Sequence, residues 1–410
     1  MSESNGLATI ESIDDLINVG DAAAVLEDAP QQESKRKRTG KNQKRVKVSR
    51  LKIDAGNGRI KFLADDYFDA IRSVVSQVAT PQSMLGAFEW DGKSWLVGAD
   101  AEVINNSKQR IEVGTTPGAK VKYFPQMVLG AIASHPTFLD GATRVNGDRT
   151  RRHLTIDIDC LALARGEELF SNLQKVKEFS KDGITYQLEW RYFIAHPEGY
   201  GAAIAAHKLI KEKDPEARQF YILDIGNGTI TLTPYNCFGS KPLAGIPRSG
   251  SGGGVIAIVD KFSETANTGD HETIYLDQLR KALERSKVID ENGHKRYQAI
   301  VAGSRNDLGV NLATALQDWK DKHPATRRVL REVDDVLLDG DYVFCCGGGF
   351  EIPPIEDFVR SQFPNSDERS SAKGDRGASA EAEALPPKAD RLIVLPNPGT
   401  IGLLGLAENQ

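Results

Sequence analysis

The sequence predicts an α/β protein of two related domains, and three observations predict it. A Gly-Asn-Gly hairpin occurs twice, as LKIDAGNGRIKF at 51–62 and as YILDIGNGTITL at 221–232. Glycine runs lead into helical patterns at two further places, RSGSGGGVIAIVDKF (248–262) and CCGGGFEIPP (345–354). The chain, 410 residues long with 40% hydrophobic and 27% charged side chains, has length for two cores and an ordinary globular composition. Two copies of one motif at wide separation point to a duplicated domain rather than to a solenoid.

Each copy reads as a strand, a tight turn and a second strand. Gly56 and Gly58, like Gly226 and Gly228, can take positive φ and leave no Cβ between backbone and ligand. Asp54 and Asp224 stand at the strand ends just before the turns. Two such hairpins facing each other would offer backbone N–H groups to phosphates from both sides, with a carboxylate beside each. That arrangement suits a metal-bound nucleoside triphosphate.

Other classes are disfavoured. The four cysteines (Cys160, Cys237, Cys345, Cys346) have neither metal-ligand spacing nor a disulfide framework, which fits a reducing, cytoplasmic setting. There is no apolar stretch of membrane-spanning length, and the N-terminus is acidic where a signal peptide is basic. The net charge of −5 conceals a divided N-terminal arm. Residues 1–34 contain acids but no Lys or Arg, whereas KRKRTGKNQKRVKVSR at 35–50 is basic with no acid at all. Residues 1–50 are expected to lie outside the fold as a disordered arm. Ile10, Ile13, Leu16 and Ile17 give its acidic half a weak amphipathic pattern, and its basic half suits nucleic acid, an anionic membrane or an acidic subunit face.

In chain order, Ile71–Val78 reads as a strand after the first hairpin, and Asp91-Gly92 as a hairpin turn. Gly92-Lys93-Ser94 resembles the end of a phosphate loop of the Walker type, but five residues separate Gly86 from Gly92 where four are needed. Residues 123–134 read as an apolar helix stopped by Pro136, and Arg149, Arg151 and Arg152 as a solvated face before a strand. In FIAHPEGYGAAIAAH (193–207) a strand hands over to an alanine-rich helix. Glu198 stands at the handover, placed either to orient the water attacking a γ-phosphate or simply to favour the helix dipole. The glycines before Val255 would expose helix N–H groups to anions or sugar hydroxyls, and Gly347, Gly348 and Gly349 would let backbone lie flat against a planar base. Residues 270–340 read as a charged, helix-rich subdomain, 365–390 as a disordered insertion, and RLIVLP followed by PGTIGLLGLAEN as a strand and a closing helix.

Paired Asp-X-Gly-Asn-Gly hairpins, Pro-Glu before a helix, a glycine-rich helix start and a late Gly-Gly-Gly together resemble the actin, sugar kinase and Hsp70 ATPase superfamily. The length and the terminal Pro-Gly-Thr-Ile-Gly-Leu-Leu resemble the plasmid-segregating bacterial actins of the ParM type. The resemblance covers 51–364 and 391–410. It implies an actin-like fold with domain I at 51–206 plus 391–410 and domain II at 207–364. It implies ATP or GTP with Mg²⁺ as ligands, Asp54 and Asp224 holding the metal largely through water. Gly56, Asn57, Gly58 and Lys61 would line the first phosphate loop, and Gly226, Asn227, Gly228 and Thr229 the second. Glu198 would position the hydrolytic water, with Gly253, Gly254, Gly347, Gly348 and Gly349 against ribose and adenine. Asn at the third position of both loops departs from the Ser or Thr of many relatives. The implied function is an ATPase that polymerises on binding ATP and disassembles after hydrolysis, in plasmid segregation or a cytoskeletal role such as cell shape. Its partners would be itself and an adaptor on DNA or membrane reached through the arm. The alternative is a small-molecule (sugar or acid) kinase on the same fold, although no carboxylate outside the nucleotide motifs is poised for a substrate hydroxyl.

Overall fold

The computed structural model describes residues 47–408 apart from 81–82, 105–106, 115, 117, 247, 269–272, 302–306 and 365–386. Nearly all of the arm, with its Ile10–Ile17 pattern, and most of the 365–390 insertion thus lie outside the described residues. Two boundaries move. Residues 48–50 already belong to the first strand, and 388–390, expected in the insertion, form a helical turn with Arg391, which is buried.

The first half of the chain supplies β1 (Val48–Ala55), β2 (Arg59–Ala64), β3 (Tyr67–Arg72), β4 (Val74–Val78), β5 (Ala87–Trp90), β6 (Lys93–Val97), β7 (Ser107–Glu112), β8 (Thr143–Arg144), β9 (Arg151–Leu161), β10 (Glu178–Lys181) and β11 (Ile184–His196). The helices among them are α1 (Asp100–Val103), α2 (Ala119–Lys122), α3 (Phe124–Ser134) and α4 (Gly166–Leu173), and α5 (Tyr200–Lys213) leads out of the sheet. The strand order is β3-β2-β1-β9-β11-β10-β5-β6-β4-β7, with β8 on β9. Alternation along β1 sends Leu51, Ile53 and Ala55 into a core shared with α3, and turns Lys52 and Asp54 to the opposite face. Every residue of α3 is buried, as its largely apolar sequence requires, and Gln126 and Ser134 are buried with the rest. The strand read at 71–78 is broken at Ser73, which separates β3 from β4.

The second half supplies β12 (Gln219–Ile225), β13 (Thr229–Asn236), β14 (Leu243–Ala244), β15 (Arg248–Gly253), the small hairpin β16 (Lys287–Glu291) and β17 (His294–Gln298), β18 (Tyr342–Cys346) and β19 (Leu392–Val394). Its helices are α6 (Val255–Ala266), α7 (Leu276–Glu284), α8 (Gly309–Lys322), α9 (Pro324–Leu338), α10 (Pro353–Ser361), α11 (Lys388–Arg391) and α12 (Ile401–Glu408). The order is β14-β13-β12-β18-β19, with β15 on β13. The duplication is visible in the pairing. β1 runs antiparallel to β2 and parallel to β9, as β12 runs antiparallel to β13 and parallel to β18. Leu223 and Ile225 face α6, α8 and α9, while Phe220 and Ile222 face α5, so β12 is buried on both sides like a central strand.

The domain division expected from sequence needs two corrections. β19 extends the second sheet by pairing with β18, so residues 392–394 leave the first domain. The expected boundary at 206/207 falls inside α5. Ala202, Ala203, Ala206 and Ile210 of that helix cover the second sheet, while Ile204 packs with Leu161 of β9 and with Leu403 and Leu406 of α12. α5 and α12 therefore tie the two sheets together between the hairpins' bases.

Candidate nucleotide site between the two hairpins

The two Gly-Asn-Gly turns meet. A Cβ built on Gly58 would lie 3.0 Å from Cβ of Asn227, and one built on Gly228 would lie 2.8 Å from Nδ2 of Asn57. None of the four hairpin glycines uses the positive φ open to it. Close approach of backbone, not backbone handedness, requires glycine at 56, while a Cβ at 58 or 228 would press on an asparagine side chain of the other hairpin. At Gly56 a Cβ would lie 2.8 Å from the Arg59 carbonyl, whereas Gly226 has room.

The backs of the turns are tied down by hydrogen bonds. Ser73 N–H donates to Gly58 O, and the first N–H groups of α6, those of Val255 and Ile256, donate to Gly226 O and Asn227 O at 3.0 and 2.9 Å. The expectation that this helix start offers N–H groups to a ligand is therefore corrected: two of them hold the second hairpin. No backbone hydrogen bond among the described residues uses the N–H of Asn57, Gly58, Asn227 or Gly228, so the tips keep their donors.

Under the tips lies a cavity of about 320 Å³ lined by Asp54, Gly56, Asn57, Gly58 and Lys61 from one hairpin and Asp224, Gly226, Asn227, Gly228 and Thr229 from the other. Glu198, Gly347 and Gly348 complete the sequence-expected part of the wall. Gly253, Gly254 and Gly349 do not line it. The glycine run at 248–253 is the strand β15, and a Cβ on Gly254 would lie 2.5 Å from both Gly226 O and Thr229 N, behind the second turn. Gly253 packs on Ile230, Thr326 and His323, and Gly349 on Ile225. Gly347, with φ of 95°, brings backbone against Asp224: a Cβ there would lie 2.2 Å from its Oδ1.

No family model matches the sequence, and no curated protein matches it. Among solved structures, a 15-stranded ParM filament from Clostridium botulinum aligns with a TM-score of 0.58 at 15% identity, over 88% of this chain and 98% of that one. An archaeal actin homolog in complex with ADP aligns at 0.53 and 15% identity, over 88% of this chain and all of that one. A MamK double helical filament aligns at 0.52 and 13% identity, over 88% and 99% of the two chains. The chain has the actin-like fold.

Within this actin-like fold the cleft gathers charge. Asp54 and Lys61 face each other in the β1–β2 register, and Lys61 Nζ donates to Asp54 Oδ2 at 3.2 Å. Lys120 of α2 donates to Glu198 Oε1 at 3.4 Å. Burial, reinforced by Glu198 and by Asp54 and opposed by Lys61 and Lys120, pushes the Asp224 carboxyl up to about 7. Burial works against the Lys61 and Lys120 ammonium groups, but the neighbouring carboxylates outweigh it and both are held above their ordinary value. Cys346, also in the wall, is driven well up by burial and by Asp224, so it is an inert thiol. Sequence reasoning missed Lys120, Arg280, Glu284 and Glu351, all of which line the cavity. Lys120 sits on a four-residue helix with no motif around it, so no local signal marked it.

Proposed function

We propose that the chain is an actin-like ATPase of the ParM type, which binds ATP or GTP with Mg²⁺ in the cleft, polymerises in the triphosphate state and disassembles after hydrolysis. The observation that carries this reading is the convergence of two duplicated glycine hairpins, each with its aspartate, on one cavity. An archaeal actin homolog was solved with ADP, and ParM and MamK as filaments, which supports nucleotide binding and self-association here.

The residues have separable tasks. N–H groups of Asn57, Gly58, Asn227 and Gly228 donate to phosphate oxygens, and Lys61 and Lys120 supply positive charge. Asp54 and Asp224 fit a hydrated Mg²⁺. No set of three ligating side chains gathers among the described residues, so direct protein ligation is sparse, while the proton-seeking Asp224 marks negative charge that a cation relieves. Held by Asp54 and Asp224, Mg²⁺ would supply positive charge against that developing on the phosphate oxygens. Glu198 accepts a hydrogen bond from the attacking water and orients it. A triphosphate that draws Lys120 toward itself frees Glu198 for that task. Gly347 and Gly348 carry backbone close to the base and ribose.

Polymerisation follows from closure of the cleft, because a head-to-tail contact that does not close into a ring builds a filament. A cytoplasmic setting belongs to this reading, and no helix among the described residues is long and apolar enough to cross a membrane. The task is DNA segregation or a related cytoskeletal role such as cell shape, with residues 1–50 reaching a DNA-bound or membrane-associated adaptor. Sedimentation with Mg²⁺ and ATP, ADP or no nucleotide tests the proposal: pelleting in ATP alone is expected. ATP turnover without assembly, with ADP release stimulated by a hexose or an organic acid, would favour the kinase instead.

A further inference from the structure

Arg72, the last residue of β3, is anchored in the first domain by a hydrogen bond from Nε to Glu102 Oε1 at 2.8 Å. Its Nη1 lies 3.9 Å from Oε1 of Glu284, the last residue of α7 in the second domain. The same Glu284 oxygen accepts from Nε of Arg280, one turn earlier on α7, at 3.3 Å. Arg280 and Glu284 line the nucleotide cavity. Arg72, Glu102 and Arg280 line a second cavity of about 480 Å³, which shares the tips Asn57, Gly58 and Asn227 with the first. The Arg72–Glu284 pair therefore crosses from one domain to the other where the two cavities meet, and its acceptor is shared with an arginine of the nucleotide wall.

We infer that Arg72 and Glu284 form an ion-pair latch across the cleft mouth, which holds the domains together and must open before nucleotide leaves. Arg72 touches no part of the nucleotide cavity, so it acts on the ligand only through closure. All the side chains involved keep partial contact with solvent, which makes the latch sensitive to salt. The inference rests on the nucleotide reading above and adds the control of exchange at that site.

The test uses the full chain and a fluorescent ADP analogue chased with unlabelled ADP. Arg72→Met keeps the apolar stem and removes the charge. Its release rate is expected to rise about threefold at low salt, the size appropriate to a partly exposed ion pair. Wild-type release is expected to accelerate with salt, and that response to vanish in the variant, with Arg72→Lys in between. Small-angle scattering of the nucleotide-free proteins is the independent arm: Arg72→Met should have the larger radius of gyration. Equal release rates and equal salt responses in wild type and variant would overturn the latch. If the wild type bound no ADP analogue, the nucleotide reading would fall, and an unchanged radius of gyration in Arg72→Met would then overturn the latch by itself.

Discussion

Among the described residues, Asp224 is the carboxyl group that the fold shifts furthest. Its carboxyl, near 3.8 in an unfolded chain, is pushed up to about 7 by burial, Glu198 and Asp54. Between these values the folded protein keeps a proton that the unfolded chain has lost. Stability therefore falls as pH rises from about 4 to about 7 and stays lowered above that, by at most about 4 kcal/mol. Asp224→Asn removes the buried charge, so the nucleotide-free variant should melt higher than wild type at about pH 8 and show little difference at about pH 4. The same variant should lose most of the stabilisation that Mg²⁺ with nucleotide gives the wild type. Thermal melts at the two pH values, with and without ligand, check both statements, and identical pH profiles would remove Asp224 from this account. Glu198 is the second test at this scale. Glu198→Ala should slow phosphate release by about 10²-fold while leaving assembly in ATP intact, and unchanged turnover in a phosphate-release assay would take Glu198 out of the mechanism. Asp54, Asp224 and Glu198 were legible in the sequence because each sits beside a glycine turn or a strand-to-helix handover that local rules recognise. Lys120 was not, because its 78-residue separation from Glu198 is bridged only by the tertiary fold.

At the scale of elements, the sequence marks α5 and α12 as helices but is silent on their meeting. They cross with backbone against backbone: a Cβ on Gly201 would lie 1.7 Å from the Gly402 carbonyl oxygen, and one on Gly405 would lie 1.9 Å from the Gly201 carbonyl oxygen. α5 covers the second sheet and α12 touches the first, so this crossing joins the domains at their base. Gly201→Ala improves intrinsic helix propensity by about 1 kcal/mol. It also forces the two backbones apart, at a cost of about 1–3 kcal/mol. A net fall in melting temperature is expected, and a rise would show that the crossing gives way freely. The strand β15 illustrates the opposite limit of sequence reading. RSGSGG has poor strand propensity, and only its ladder with β13 makes it a strand, with Gly252 and Gly253 at φ of 88° and 81°. For the same reason the sequence leaves the N–H groups of α6 open to a ligand, whereas in the fold the second hairpin lies on two of them.

For the molecule as a whole, the decisive contact is tip to tip. The duplicated hairpins could be recognised one at a time from sequence, but their mutual approach depends on the angle between two sheets, which no local pattern encodes. Gly228 faces the Asn57 amide at the 2.8 Å that a Cβ would require. A methyl group there presses on the end of the Asn57 side chain, which must swing off the tip or the cleft must open, since Gly228 is fixed from behind by α6 through its neighbour Asn227. Gly228→Ala should therefore fold normally and melt within a few degrees of wild type without nucleotide, because an opened cleft relieves the clash. It should resist closure, so that the ATP-dependent compaction seen by small-angle scattering in the wild type is lost and the critical concentration for assembly in ATP rises by about tenfold or more. A Gly228→Ala protein that compacts and pellets like the wild type would mean that assembly does not pass through the closed cleft, and the link from paired hairpins to filament would break at that point.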